Sequence, residues 1–173
     1  MSKIAIVIVT YNGRQYLADC FSTIEKQTKK LEEIIIIDNN STDGTQEYLK
    51  NLSLSLAGQA GGIKIKLILN QKNLGFAKAN NQGMETALKD GVDYIFLLNQ
   101  DTRLAENCLE ELLKAAEKEK NFFVCQPLIL CWPEKTLVQT SGGRIHFLGF
   151  GYSGDYKLKI ENYFKGICQK SLL

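Results

Sequence analysis

Three apolar runs in this chain stop abruptly at polar clusters, and the clusters hold residue types that handle phosphates and hard cations. Tyr94 to Leu98 ends in Asn99-Gln100-Asp101-Thr102. Ile4 to Val9 runs into Thr10-Tyr11-Asn12, and Ile34 to Ile37 runs into Asp38-Asn39-Asn40-Ser41-Thr42-Asp43. In an open α/β sheet, ligands sit outside the carboxyl ends of the strands. A carboxylate there, such as Asp101, can hold a divalent cation, Mg²⁺ or Mn²⁺, bound by one or two carboxylates plus substrate phosphates. Asp101 also suits the N-cap of a following helix. Asp38 suits a hydrogen bond from a base N–H or a ribose hydroxyl, and equally an Asx-type turn. Asp43-Gly44 reads as turn chemistry before a helix. A fourth cluster, Asn73-Leu-Gly-Phe-Ala-Lys-Ala-Asn-Asn-Gln-Gly83, places Gly75 at a helix start, where it permits close backbone approach. Helix N-termini bind anions through free N–H groups, and Lys78 adds a positive charge in the first turn. Asn80 and Asn81 are poor helix formers, so the pair implies either a ligand or polar packing against loops.

The elements that position these residues alternate along the chain. Residues 3–9 read as a strand, 14–27 as a helix with Tyr16, Leu17, Cys20, Phe21 and Ile24 on one face, and 33–37 as a second buried strand. Thr45 to Leu52 fits a short helix, Ser53 to Gly62 a surface loop, and Ile63 to Leu69, with its alternation, a strand nearer the sheet edge. Asn70 to Leu74 reads as a turn and Gly75 to Lys89 as a helix. Asp93 to Leu98 is a fourth strand. Arg103 to Lys120 is an amphipathic helix with Leu104, Cys108, Leu112 and Ala115–Ala116 facing inward, and Phe122 to Gln126 is a fifth strand. Strands separated by helices predict βαβ units and a mostly parallel sheet. Beyond Pro127 the alternation fades, and Pro133, Gly142-Gly143, Gly149 and Gly151 divide the rest into short pieces.

Composition narrows the function classes. The 173 residues fit one domain with a sizeable core, 45% hydrophobic and 23% charged. A net charge of +2 without a basic stripe gives no argument for nucleic acid. No apolar run approaches the roughly 20 residues that span a bilayer, and no signal peptide opens the chain. Five cysteines (Cys20, Cys108, Cys125, Cys131, Cys168), odd in number and without C-x-x-C spacing, point to reduced thiols in a cytosolic protein. His146 is the only histidine, which rules out a site needing two. The dinucleotide fingerprint and the P-loop are both missing.

Taken together, Ile6-Val-Ile-Val-Thr-Tyr-Asn12, Ile36-Ile-Asp-Asn-Asn-Ser-Thr-Asp-Gly44, Asn73-Leu-Gly-Phe-Ala77 with Ala79-Asn-Asn-Gln-Gly83, and Leu97-Leu-Asn-Gln-Asp-Thr102 resemble the family 2 glycosyltransferases with a GT-A fold, and in particular their rhamnosyltransferase-like branch. The likeness covers about residues 3–145. It implies a Rossmann-like α/β/α sandwich, with residues 1–147 a nucleotide-sugar-binding domain and 148–173 the start of an acceptor-side region. In that likeness Thr10, Tyr11 and Asp38 line the nucleoside pocket, and Asn12 belongs to the same nucleotide-sugar site. Asn73, Gly75, Lys78 and Asn81 border the ribose and diphosphate. Asn99-Gln100-Asp101 takes the family's D-x-D position, with Asp101 the principal metal ligand and Asn99 in place of the first Asp. The resemblance implies sugar transfer from a nucleotide-diphosphate donor, dTDP-rhamnose or a UDP-sugar, to a glycan or lipid-linked acceptor, with Mn²⁺ or Mg²⁺ as cofactor.

Family members continue past this point into a segment that lines the acceptor site and an acidic motif that supplies the base. Asp155 and Glu161 are the only acids in Tyr152 to Leu173, and neither has a matching context. No catalytic residue is therefore expected within this chain, which reads as the donor-binding half cut short. The C-terminal aromatic and aliphatic residues Phe147, Leu148, Phe150, Tyr152, Tyr156 and Phe164 suit a surface for a missing half. The chain is expected in the cytoplasm, with any peripheral membrane association at the inner face carried by the part beyond it. Two other readings compete: a non-catalytic nucleotide-sugar-binding module, and a sugar nucleotidyltransferase, which would start from a Gly-rich activating loop that Thr10-Tyr-Asn-Gly13 does not supply.

Overall fold

A computed structural model describes residues 2–57, 63–118, 124–145 and 151–164. The chain forms two compact units, Met1–Glu110 and Glu111–Leu173.

The first unit is built on a parallel sheet of β1 (Ile4–Thr10), β2 (Glu33–Asp38), β3 (Lys64–Leu69) and β4 (Tyr94–Asn99), in the order β3-β2-β1-β4. Helices α1 (Arg14–Glu25), α2 (Thr45–Ala57) and α3 (Phe76–Lys89) supply the crossovers. The β-branched runs explain the order. Every residue of β1 and β2 is buried, as the central strands of a parallel sheet covered on both faces should be. Lys64-Ile-Lys-Leu-Ile-Leu69 lies at the edge, as its alternation predicts. Ala5, Val7, Val9, Ile35 and Ile37 share one face and pack with Ala79 and Ala87 of α3. The intervening residues point to the opposite face by the two-residue period of a strand.

Close packing of α3 depends on Gly83. A Cβ there would lie 2.4 Å from Val7 Cγ1 and 2.6 Å from Ile37 Cδ1. Glycine in a helix interior costs roughly 1 kcal/mol against alanine, and here it lets the helix settle onto the two central strands.

Register brings the polar clusters level. Thr10 stands opposite Asp38, and Val9 opposite Asn99. All four strands run in one direction, so these residues share one end of the sheet, while Glu33 begins β2 at the other. There the buried Glu33 carboxylate lies 3.6 Å from Lys64 Nζ and 3.8 Å from Lys66 Nζ, and Lys66 also pairs with Asp90.

Several element boundaries differ from the sequence reading. Helix α2 continues to Ala57, so Ser53–Ala57 is helical where a loop was expected; the Ser53 hydroxyl folds back onto the Lys50 carbonyl, which lets a polar residue sit within the helix. The rest of that expected loop, 58–62, lies outside the described residues. Helix α1 ends at Glu25, and Gln27 instead donates to the Ala105 carbonyl and accepts from Leu109 N–H. Those bonds hold residues 103–107 against α1 in a non-helical course, so α4 (Cys108–Lys118) begins five residues later than Arg103. Its buried residues are Leu109 and Ala116, and Ala115 is exposed, a correction to the expected inner face. Val124–Gln126 forms no strand: this segment leads straight into Pro127 and carries no ladder bonds; Phe122 lies outside the described residues.

Among its described residues the second unit carries the body of α4, helical residues 160–164, and two short antiparallel pairs, β5 (Ile129–Leu130) with β6 (Val138–Thr140) and β7 (Gly143–Ile145) with β8 (Gly151–Ser153). Val138 is fully buried, and its N–H donates to the Leu158 carbonyl. Tyr156 and Phe164 are exposed. His146, Phe147, Leu148, Phe150 and Cys168 fall outside the described residues. No helix among the described residues is long and apolar enough to cross a membrane.

Candidate functional site

A cleft of about 410 Å³ opens in the first unit at the carboxyl ends of β1, β2 and β4, lined by Val9, Tyr11, Asn39, Asn73, Gly75, Phe76, Asn99, Gln100 and Asp101. Six of the eleven residues expected at a site thus meet in one place: Tyr11, Asn73, Gly75, Asn99, Gln100 and Asp101. Thr10, Asn12, Asp38, Lys78 and Asn81 do not line it. Thr10 and Asp38 are fully buried behind the strand ends, whereas Lys78 and Asn81 are exposed on α3.

The loop after β1 is held by side chains rather than by its own backbone. Asn12, at φ +48°, donates its N–H to Ser41 Oγ (2.8 Å), and its Oδ1 accepts from Thr42 N–H (2.9 Å). Gly13 N–H donates to Thr45 Oγ1 (3.1 Å) and Arg14 N–H to Asp43 Oδ2 (3.0 Å). The first donors of α1 are thereby satisfied within the protein. Asn12 is thus a clasp between two loops. Burial pushes the Asp43 carboxyl up, but hydrogen bonds from the Thr45 hydroxyl and from backbone N–H groups outweigh it and hold Asp43 below the usual carboxylate range.

Asp38 closes the expected turn and does more. Its Oδ2 accepts from Ser41 N–H (3.0 Å) and Gln46 Nε2 (2.7 Å). Its Oδ1 is buried and has no hydrogen-bond partner. An unsatisfied buried acceptor on a carboxylate is costly, and a bound N–H or O–H donor would relieve that cost.

Asn39, which the sequence does not mark as a site residue, is the hub of the cleft's far wall. It is only 2% exposed. Its Nδ2 donates to Asn73 Oδ1 (2.7 Å) and the Gly75 carbonyl (3.4 Å), and its Oδ1 accepts from Leu74 N–H (2.9 Å) and Asn70 Nδ2 (3.2 Å). The only signal was its place directly after a strand-end Asp. Gly75 takes φ +82°, and a Cβ there would meet nothing within 4 Å, so the wall is open at that point. Phe76, 62% exposed, and Tyr11, 48% exposed, set two aromatic rings in a cleft otherwise lined mostly by amides. The Asn80–Asn81 pair divides: Asn80 is buried and bonds the Phe76 carbonyl within its own helix, and Asn81 faces solvent.

Asp101 is the cleft's one carboxylate. It is exposed in a turn closed by Thr102 N–H to the Asn99 carbonyl (3.2 Å). It is not the cap of α4, which starts seven residues later. Behind this turn the buried Cys20 thiol donates weakly to the Asn99 carbonyl (3.9 Å). Burial, and then the charge of Asp101, push that thiol up to about 12, so Cys20 stays a neutral packing group. No group of three or more His, Cys, Asp or Glu side chains suited to a metal occurs among the described residues. A hard cation here would draw on Asp101, a neighbouring amide oxygen and the oxygens of a phosphorylated ligand, a set that Mg²⁺ and Mn²⁺ accept.

A parallel sheet flanked by helices, with a carboxylate and amides at its carboxyl edge, defines an open α/β domain with a ligand cleft, and its likeness to the solved glycosyltransferases makes the fold GT-A-like. Residues 5–166 match the glycosyl transferase family 2; the chain belongs to that family. It is 28% identical over 166 residues to an uncharacterized glycosyltransferase of Haemophilus influenzae, covering 95% of this chain and 60% of that protein. It is 29% identical over 119 residues to the GalNAc(5)-diNAcBac-PP-undecaprenol beta-1,3-glucosyltransferase of Campylobacter jejuni, covering 68% of this chain and 36% of that protein. The crystal structure of GalNAc-T7 with UDP, GalNAc and Mn²⁺ shares the fold at a TM-score of 0.57 and 24% identity, covering 69% of this chain and 22% of that one. The chain therefore spans less than two thirds of the length of each of these proteins, from 22% to 60%.

Proposed function

We propose that this chain is the donor-binding part of a glycosyltransferase that moves a sugar from a nucleotide-diphosphate donor to a glycan or lipid-linked acceptor, with inversion at the transferred carbon. The observation that carries the reading is the joining of Asp101, Asn99 and Tyr11 in one cleft, with the unsatisfied Oδ1 of Asp38 buried at the same sheet edge. Asp38 would take a nucleoside N–H or hydroxyl. Tyr11 would offer a ring face to the base, and Thr10 and Asn12 would hold that loop in place. Asn73 and Gly75 would border the ribose and diphosphate, with Lys78 and Asn81 adding polar groups on the exposed side of α3.

Asp101, with Asn99, would hold a divalent metal, Mn²⁺ or Mg²⁺, which would supply charge stabilisation to a departing diphosphate. The Mn²⁺ of GalNAc-T7 and the undecaprenol-linked name of the Campylobacter relative support a metal and a lipid-linked acceptor by analogy. The rhamnosyltransferase-like motifs favour dTDP-rhamnose, with UDP-sugars next. In this reading residues 1–147 serve the donor and 148–173 begin the acceptor side. Any peripheral membrane contact would be at the cytoplasmic face.

A second reading has one observation in its favour. Among the described residues Asp101 is the only acid lining the cleft, with no second carboxylate beside it to act as base. On that ground the chain alone would be a nucleotide-sugar-binding module without transfer activity.

Thermal-shift titration with UDP, dTDP and GDP, each with and without Mn²⁺, tests both readings. Saturation at 100 times Kd adds about 2.7 kcal/mol, so a Mn²⁺-dependent rise with one nucleotide is the expected result. Absence of any shift in a cooperatively melting protein refutes donor binding. Sugar transfer or donor hydrolysis by the purified chain refutes the module reading.

A further inference from the structure

Gln100 sits between Asn99 and Asp101 and lines the cleft, yet both ends of its amide are engaged within the protein. Oε1 accepts from the Thr10 hydroxyl (2.5 Å) and from Tyr11 N–H (3.1 Å), and Nε2 donates to the Tyr11 carbonyl (3.4 Å). A backbone N–H can only donate, which fixes the amide's orientation. Strands β1 and β4 are neighbours with Val9 opposite Asn99. The amide therefore bridges the two chain segments just past the paired strand ends.

It can do so only because residue 13 has no side chain. A Cβ on Gly13 would lie 2.0 Å from Gln100 Oε1, 2.5 Å from its Cδ and 2.8 Å from Thr10 Oγ1. Backbone movement away from Gln100 is restrained, since the N–H groups of Asn12, Gly13 and Arg14 are tied to Ser41, Thr45 and Asp43.

We propose that Gln100 is a positioning residue and not a donor ligand: seated in the notch left by Gly13, it locks the Tyr11 backbone and so sets Asp101 in register with Tyr11. The functional half of this statement rests on the donor-site reading of the cleft. The lock itself does not. Groups bonded directly to metal ligands cost on the order of 10–100-fold in metal affinity when removed; Gln100 acts one step further back, through Tyr11, so the lower end of that range, about 10-fold, is expected.

The test uses the whole chain with Gly13→Ala, Gln100→Ala, their combination, and Gln100→Glu. Melting without ligand is measured first. Gly13→Ala is expected to melt lower than wild type, and the double variant no lower than Gln100→Ala alone, because the atoms that the new methyl would strike are gone and the Thr10 hydroxyl can turn. Such non-additivity marks a direct contact; additive losses overturn the lock. Calorimetric titration of Mn²⁺ with UDP or dTDP follows, below the melting range. Gln100→Ala is expected to bind about 10-fold more weakly. Gln100→Glu keeps the acceptor for the Thr10 hydroxyl and Tyr11 N–H but sets an oxygen in place of the donor to the Tyr11 carbonyl, and is expected to lose less than Gln100→Ala while staying below wild type. Wild-type affinity in folded Gln100→Ala, or an equal loss in Gln100→Glu, overturns the positioning role. A wild-type chain that binds neither nucleotide refutes the donor reading instead, and the melting cycle still decides the lock. If Gly13→Ala does not fold while the double variant does, the double variant's rescue supports the contact.

Discussion

Replacing Asn39 by Asp changes one atom in the hub of the cleft wall and leaves its shape intact. Backbone groups orient the side chain: Leu74 N–H faces Oδ1, and the Gly75 carbonyl faces Nδ2. In Asn39→Asp the bonds to Leu74 and Asn70 survive. The atom replacing Nδ2 becomes an acceptor at 2.7 Å from Asn73 Oδ1, itself fixed as an acceptor by Gly75 N–H (2.8 Å). One good hydrogen bond is lost, worth about 1 kcal/mol net, and a buried group is left unsatisfied at a further 1–3 kcal/mol, more for a charge. The new carboxylate also adjoins buried Asp38. A loss of about 3 kcal/mol follows at pH 8, or about 6–12 °C in Tm for a chain of this size. Burial and the facing oxygens raise the folded-state pKa of the introduced carboxyl. Such a group favours the folded state at low pH, and that contribution is lost as pH rises through the raised pKa. The deficit should therefore shrink as pH falls toward the ordinary carboxylate range, where the protonated acid can donate to Asn73. Melting followed by circular dichroism from pH 5 to 8 checks this. A variant within about 2 °C of wild type at pH 8, under 1 kcal/mol at this size, or a deficit that does not change with pH, would refute the hydrogen-bond account.

Other substitutions separate fold from site. Asp101→Ala should leave Tm within about 1–2 °C, since exposed substitutions usually change stability by no more than 0.5 kcal/mol, while abolishing the Mn²⁺-dependent part of nucleotide binding; unchanged metal-dependent affinity in a titration would reject Asp101 as the ligand. Asp38→Ala should weaken nucleoside binding equally with and without metal, and a loss confined to the metal-containing titration would contradict that role. At the other end of the sheet, burial above all pushes the Glu33 carboxyl above its ordinary 4.5, against the pull of Lys66 and Lys64. Glu33 therefore takes up its proton in the folded state first, so its contribution to stability grows as pH falls toward 4.5 and is lost as pH rises through the raised value. Asp90 is held below its ordinary 3.8, chiefly by its hydrogen bond from Lys66, and so acts only in more acid solution. Urea unfolding of Glu33→Gln between pH 5 and 8 should show a flatter pH profile than wild type; identical profiles would show that Glu33 ionises normally.

The βαβ order, the buried central strands and the edge position of β3 were legible in the chain because they rest on local hydrophobic periodicity and β-branched runs, which act within a few residues. The polar clusters at the strand ends were legible for the same reason: an apolar run that stops at Asp38 or Asp101 marks the sheet's carboxyl edge without any contact being known. Periodicity could not say where α2 and α4 end or begin, since Ser53 is kept helical by its own back-bond and residues 103–107 are held out of a helix by Gln27, 76 to 80 positions away. Nor could it distinguish partners within a cluster. Asn39, Asn80 and Gln100 look in sequence like the exposed polar residues beside them. Only the pairing of β2 with β3, which brings residues 70–75 alongside, turns Asn39 into a buried hub; only the packing of α3 on the sheet buries Asn80; and only the register of β1 against β4 turns Gln100 into the occupant of the space that Gly13 leaves. Residue types set which atoms could bond; the sheet's register, fixed by long-range burial, chose among them.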